Sequence, residues 1–334
     1  MPEKILPLYG IQPVKSKIQR FGDGLINRTW KVTTDTTAFI LQQINQSVFK
    51  KPQDIDLNIS KLKSFLSNTQ PEYLFVTPIE TTTGETVLET PSGFYRLIPF
   101  VENSHTVNVL AQKEEAYEAA KQFGKFSRLL DKFNVDQLQI TLSDFHNLNL
   151  RFKQFSASLE TASLERKMRA EEMIAFCFEH ENIVNTYNKI VEEDLIPKRV
   201  IHHDTKISNV LFDPQNKGIC VIDLDTVMPG YFISDVGDMM RTYLCAASEE
   251  EISFDKISIR EDFFKAIYDG YMEEMGDVLT SIEQEDCTYS GKFLSYMQGL
   301  RFLTDYLQND IYYGELYPGH NLNRASNQMT LLKR

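Results

Sequence analysis

Asp204, Asn209 and Asp223 stand close together in a segment, Val200 to Asp225, that alternates short apolar runs with turn formers. Val210-Leu-Phe212 reads as a short strand, Asp213 to Gly218 as a turn, and Ile219-Cys-Val-Ile222 as a second strand. A hairpin centred near Asn216 sets Asn209 opposite Asp223, within the cross-strand spacing of about 5 Å. An amide oxygen and a carboxylate at one end of a hairpin suit Mg²⁺, a hard ion that takes few protein ligands alongside substrate phosphates. Asp204 precedes the hairpin in a loop, apart from the metal, where it can orient an attacking hydroxyl and accept its proton. Phosphoryl transfer needs these roles separated, because positioning and charge neutralisation do most of the work. Each residue alone also fits a turn cap, a loop end or a strand end. Turn chemistry does not account for a carboxylate after an unbroken Ile-Cys-Val-Ile run.

Other residues extend the pattern with two readings each. Lys206, two positions beyond Asp204, either offsets charge on a transferring phosphate or is a solvated surface lysine. His202 reads as a hydrogen-bonded buried imidazole in preference to a proton carrier, and adjacent His203 is poorly placed to share a metal with it. Gly22-Asp23-Gly24 fits backbone approach to phosphates and a tight hairpin alike. No Walker-type phosphate loop occurs in the sequence.

The elements that must position these residues change character along the chain. Up to about residue 100, a glycine turn, a strand Ala38–Ile44, a helical stretch 54–66, two strands near 75–79 and 86–89, and a strand from Phe94 to Val101 predict a small β-rich lobe. From 101 to 334, helical periodicity over 111–133, 149–188, 232–247, 258–279 and 290–312 predicts a larger, mainly helical lobe, with the segment 200–227 as a β-rich insert. The inter-lobe segment falls near 96–101. There Phe100 and Val101 keep the N–H that Pro99 lacks, so they are the candidate adenine contacts.

The net charge of −12 over 334 residues disfavours a nucleic-acid partner. The absence of a long apolar run and of a basic, apolar start predicts a cytoplasmic protein with no membrane partner. Cys177, Cys220, Cys245 and Cys287 lack paired spacing and read as buried free thiols.

His202-His-Asp204-Thr-Lys-Ile-Ser-Asn209 resembles the catalytic loop of the aminoglycoside phosphotransferase and choline kinase superfamily, and Ile222-Asp-Leu-Asp225 its metal-binding stretch. Within that group, the stretches Phe21 to Asn27, Phe39 to Asn45, Asp204 to Asp213, Asp223 to Gly230 and Arg301 to Leu307 look most like N-acetylhexosamine 1-kinases. The resemblance covers nearly the whole chain. It implies an α+β, two-lobed protein-kinase-like fold and ATP-dependent transfer to the anomeric hydroxyl of an N-acetylhexosamine. It makes Asp204 the base, Asn209 and Asp223 the Mg²⁺ ligands, His202 a support of the loop and Asp238 a carboxylate bracing it; Asp225 ranks behind Asp223 as a ligand. One departure concerns Gln42 or Gln43, which occupies the strand where the superfamily often supplies a cation to the nucleotide phosphates. Arg301 and Asp305, four apart on a helix, either pair with each other or recognise a sugar, and the resemblance favours Arg301 in the pocket with Asp305 supporting it. Another sugar, an amino alcohol or an aminoglycoside is the alternative acceptor, and a nucleotide-binding pseudokinase the alternative without catalysis.

Overall fold

The computed structural model describes residues 2–22, 24 and 26–334. In chain order the strands are β1 Lys17–Arg20, β2 Arg28–Thr33, β3 Ala38–Ile44, β4 Leu88–Thr90, β5 Gly93–Pro99, β6 Arg199–Ile201, β7 Val210–Phe212, β8 Gly218–Val221 and β9 Met228–Gly230. The α-helices are α1 Pro52–Thr69, α2 Lys113–Leu129, α3 Leu148–Thr161, α4 Leu164–Arg169, α5 Glu171–Glu179, α6 Asn182–Glu192, α7 Phe232–Tyr243, α8 Glu261–Met275, α9 Ser281–Glu285, α10 Cys287–Leu307 and α11 His320–Lys333. This is a mixed α+β chain with an N-terminal antiparallel sheet and a larger helical part, as the sequence predicts. Two compact units result. One gathers Met1–Thr106, Leu129–Ser143 and Asn209–Pro229; the other gathers Val107–Arg128, Asp144–Ser208 and Gly230–Arg334.

The first unit is built on an antiparallel sheet of order β1-β2-β3-β5-β4. Leu6, Val32, Leu41, Tyr95 and Leu97 form its core, and burial of each large aliphatic side chain contributes about 1.5–3 kcal/mol. Helix α1 begins at Pro52, whose fixed φ suits a first turn, and buries Ile55, Ile59, Leu62 and Leu66 along one face. Asn58 on the same helix joins the unit's three segments. It donates to Gln139 O at 2.9 Å and Val227 O at 3.0 Å and accepts from Gln139 N at 2.7 Å. The strand expected near 75–79 is absent: Pro78 has no N–H for a ladder, and Ile79 N reaches across to Leu97 O at 2.8 Å.

The β7–β8 hairpin forms, but one residue out of the expected register. Val210 pairs Val221 and Leu211 pairs Cys220, with an irregularity between Leu211 and Phe212. Asn209 therefore faces Ile222, whose N–H donates to the Asn209 carbonyl at 2.8 Å, and Asp223 follows one residue later. The turn explains the slip. Asp213 N–H donates to Lys217 O at 2.9 Å, while its carboxylate accepts from Gln215 N at 2.8 Å and Lys217 N at 2.9 Å. That closed turn is offset from a hairpin centred on Asn216, and the bulge absorbs the difference.

In the second unit the long helix α10 packs against α7, α11 and α3. Strand β6 is anchored by Arg199, whose Nε and Nη2 fork onto the two oxygens of the fully buried Glu283 at 2.9 Å each. The helical stretch expected over 149–188 is divided into α3, α4, α5 and most of α6, because Ser163 caps a new helix by accepting from Arg166 N at 3.3 Å. Helix α11 was not foreseen. Asn321, Asn323 and Asn327 are poor helix formers, and burial of Ala325, Met329 and Leu331 overrides them. Cys177, Cys220 and Cys287 are buried free thiols, and Cys245 is free and half-buried. Among the described residues no helix is long and apolar enough to cross a membrane.

Candidate active site

The loop after β6 is held from below by helix α7. His202 N–H and His203 N–H donate to the two oxygens of Asp235 at 3.0 Å and 2.7 Å. One turn later Asp238 accepts from Thr205 N at 2.9 Å and from Arg241 Nη2 at 3.0 Å. Tyr243 completes the brace by donating to the Thr205 carbonyl at 2.5 Å. Asp204 thus sits between residues whose backbone is fixed on both sides. Burial pushes the Asp235 carboxyl up to about 7 against the two N–H bonds, with Asp238 and Asp204 adding to the rise. The sequence points to Asp238 but not to Asp235; its position three residues earlier on the same helix is the signal that could have found it.

His202 is fully buried, its ring edge-on to Phe123 at 5.2 Å. His203 takes a left-handed backbone, φ 66°, and packs its ring where Gly230 leaves room: a Cβ on Gly230 would lie 2.5 Å from His203 Nε2. The same ring stands 5.4 Å from that of His146. Asp204 is half-buried, and Lys206 Nζ lies 3.2 Å from its Oδ1. Partial burial opposes the Lys206 charge, but the carboxylates of Asp204 and Asp238 outweigh it and its pKa is raised.

In the first unit, Asp223 and Asp225 have different surroundings. Asp223 is exposed and adopts φ 61°, ψ 62°, a conformation uncommon outside glycine. Asp225 is buried at 2% exposure. Its Oδ1 lies 2.5 Å from Arg96 Nη1 and its Oδ2 accepts from Asn27 Nδ2 at 2.7 Å. Asn27 Oδ1 in turn accepts from Asn45 N at 3.0 Å. Arg96 comes from β5 and is the register partner of Gln42 on β3. Its Nε donates to Gln42 Oε1 at 2.9 Å.

A sequence model described as the phosphotransferase enzyme family matches residues 17–274, well over half of the chain. The chain belongs to that family. Among solved structures, an aminoglycoside phosphotransferase from Alicyclobacillus acidocaldarius has a TM-score of 0.68 at 13% identity, over 100% of this chain and 94% of its own. An ethanolamine kinase from Plasmodium vivax gives 0.62 at 14% identity, over 100% and 88%. A spectinomycin phosphotransferase in complex with ADP and spectinomycin gives 0.54 at 15% identity, over 98% and 97%. At these identities the likeness is one of fold, and the α+β kinase-like architecture of small-molecule phosphotransferases is what it establishes.

Gly22, φ 74°, and Gly24 are exposed with open space where a Cβ would stand, and Asp23 between them lies outside the described residues. Gln43, the other strand candidate, donates to Ser92 O at 2.7 Å, away from Arg96. The Phe100 N–H is committed to Ala38 O at 3.1 Å, and its ring lies 3.4 Å beneath Lys31 Nζ. The Val101 carbonyl accepts from Ser104 Oγ at 2.7 Å.

Arg301 and Asp305 do not pair. Asp305, 3% exposed, accepts from Tyr312 N at 2.7 Å and Tyr313 N at 2.9 Å, and so shapes the turn after α10. Arg301 donates to Gln298 Oε1 at 3.1 Å and lies 5.6 Å from the Tyr313 ring. Neither Arg301 nor Arg151 has a carboxylate within ion-pair distance among the described residues. Burial, then the charges of His203, Arg301, Arg241 and Arg151, hold His146 well below the ordinary histidine value.

Proposed function

We propose that this phosphotransferase moves the γ-phosphate of ATP to the anomeric hydroxyl of an N-acetylhexosamine in the cytoplasm. Asp204 orients that hydroxyl and accepts its proton, with His202, Asp235 and Asp238 fixing the loop. Mg²⁺ would be held by Asn209 and Asp223. Asp223 is an exposed carboxylate one residue past the backbone bond that ties the hairpin at Asn209. Two protein ligands leave the remaining positions of the ion to nucleotide phosphates and water. Such an ion would supply charge neutralisation at those phosphates. Gly22, Asp23, Gly24 and Gln42 would serve the nucleotide phosphates, and Phe100 and Val101 would contact the adenine. Lys206 serves the transferring phosphate.

The observation that carries the acceptor assignment is the charge around His146. Among the described residues Arg151 and Arg301 lack carboxylate partners, whereas Arg241 is paired with Asp238 and Glu249. Arg301, 5.6 Å from the Tyr313 ring, offers donors to hydroxyl and amide oxygens and disfavours an ammonium group. A neutral sugar fits it better than choline, ethanolamine or an aminoglycoside. Incubation with ATP, Mg²⁺ and GlcNAc or GalNAc is expected to yield an acid-labile sugar 1-phosphate. Asp204→Asn should lower the rate by about 10²–10⁴ with the fold intact. Turnover of amino alcohols with none of the sugars would overturn the acceptor and leave the kinase standing.

A further inference from the structure

Resting on the kinase reading, we propose that Arg96 supplies the positive charge to the nucleotide phosphates that Gln42 cannot. A nucleotide triphosphate brings several negative charges to a site that already holds Asp223. A second carboxylate two residues away, buried at 2% exposure, is a poor neighbour for those phosphates unless a cation stands beside it. Arg96 is that cation. Its Nη1 lies 2.5 Å from Asp225 Oδ1, with both side chains almost fully buried. The guanidinium is held at a second point by Gln42 Oε1, 2.9 Å from Nε. Two of its three nitrogens are thereby fixed by the protein, and Nη2 has no protein partner among the described residues.

A guanidinium clamped along one edge with a donor end left over is preorganised for one more oxygen acceptor, and phosphate is the acceptor this chemistry brings. Strand register explains the relocation. Gln42 and Arg96 are directly opposite on β3 and β5, so a cation on either strand can serve the same place, and Asn27 satisfies the carboxylate oxygen that Arg96 does not. In this arrangement the glutamine orients the cation and the arginine carries the charge.

Calorimetric titration of the full chain with adenosine and with MgADP separates this role from a purely structural one. Arg96→Met combined with Asp225→Asn removes both buried charges together, so that no lone carboxylate remains. That variant should bind MgADP about ten- to a hundredfold more weakly, the loss of one charge-assisted hydrogen bond, with adenosine affinity unchanged. Adding Gln42→Lys to it should restore part of the MgADP affinity. Arg96→Lys keeps the ion pair but gives up the spare Nη2, and should lose severalfold toward MgADP even if the double variant does not fold. MgADP affinity equal to wild type in a folded variant, or an equal loss toward adenosine, overturns the assignment of Arg96. Failure of the wild-type chain to bind MgADP overturns the kinase reading and this inference with it.

Discussion

Gly230 is set by the ring it lies against. Since a β-carbon there would stand 2.5 Å from His203 Nε2, Gly230→Ala should cost about 1–3 kcal/mol by overpacking. Combining it with His203→Ala should cost less than the sum of the two single changes, as a thermal double-mutant cycle would show. His146 adds a pH dependence of known sign. Its folded pKa is depressed below 6.5 by burial and then by His203, Arg301, Arg241 and Arg151, so the unfolded chain takes up a proton first. Stability is complete above about pH 6.5 and falls as acid is added, by at most about 1.4 kcal/mol per pH unit from this group. Melting temperatures between pH 7 and pH 5 should therefore fall more steeply for the wild type than for His146→Gln.

At the scale of elements, helix α7 acts on the loop through two carboxylates one turn apart. Asp235→Ala leaves the N–H groups of His202 and His203 buried without an acceptor, at about 1–3 kcal/mol each, whereas Asp238→Ala frees only Thr205 N and part of Arg241. Hydrogen exchange at His202 and His203 should accelerate in the first variant and much less in the second. What was legible in the sequence follows the same division. Asp204, Asn209 and Asp223 stand out as candidates because they fall within one local pattern of loop, strand and turn. Strand β3 was legible to its ends, since Ala38 to Ile44 is an apolar run after a polar turn. The hairpin register was missed by one residue because a bulge depends on how Asp213 closes its turn. Asp235 and Arg96 were missed because their partners come from elements distant in the chain, and α11 because packing rather than propensity makes it a helix.

For the molecule as a whole, the first unit is assembled from three separated stretches of chain. Asn58 is the buried amide that holds them, so Asn58→Leu should cost about 2–3 kcal/mol through unsatisfied groups at Gln139 and Val227. Limited proteolysis should then find cleavage in 129–143 and 209–229 sooner than in the helices of the second unit.

The pairing of Asn27 and Arg96 with Asp225 also fixes an order of events during synthesis. Arg96 and Asp225 are 129 residues apart, so at about 5–20 residues per second the nascent sheet waits roughly six to twenty-six seconds for its counter-ion to leave the ribosome. Throughout that interval Arg96 has no carboxylate to meet, and the strands beside it stay open to chaperones. Ribosome-arrested chains should gain protease resistance in their first hundred residues only when the arrest point lies beyond Pro229 by the length of the exit tunnel.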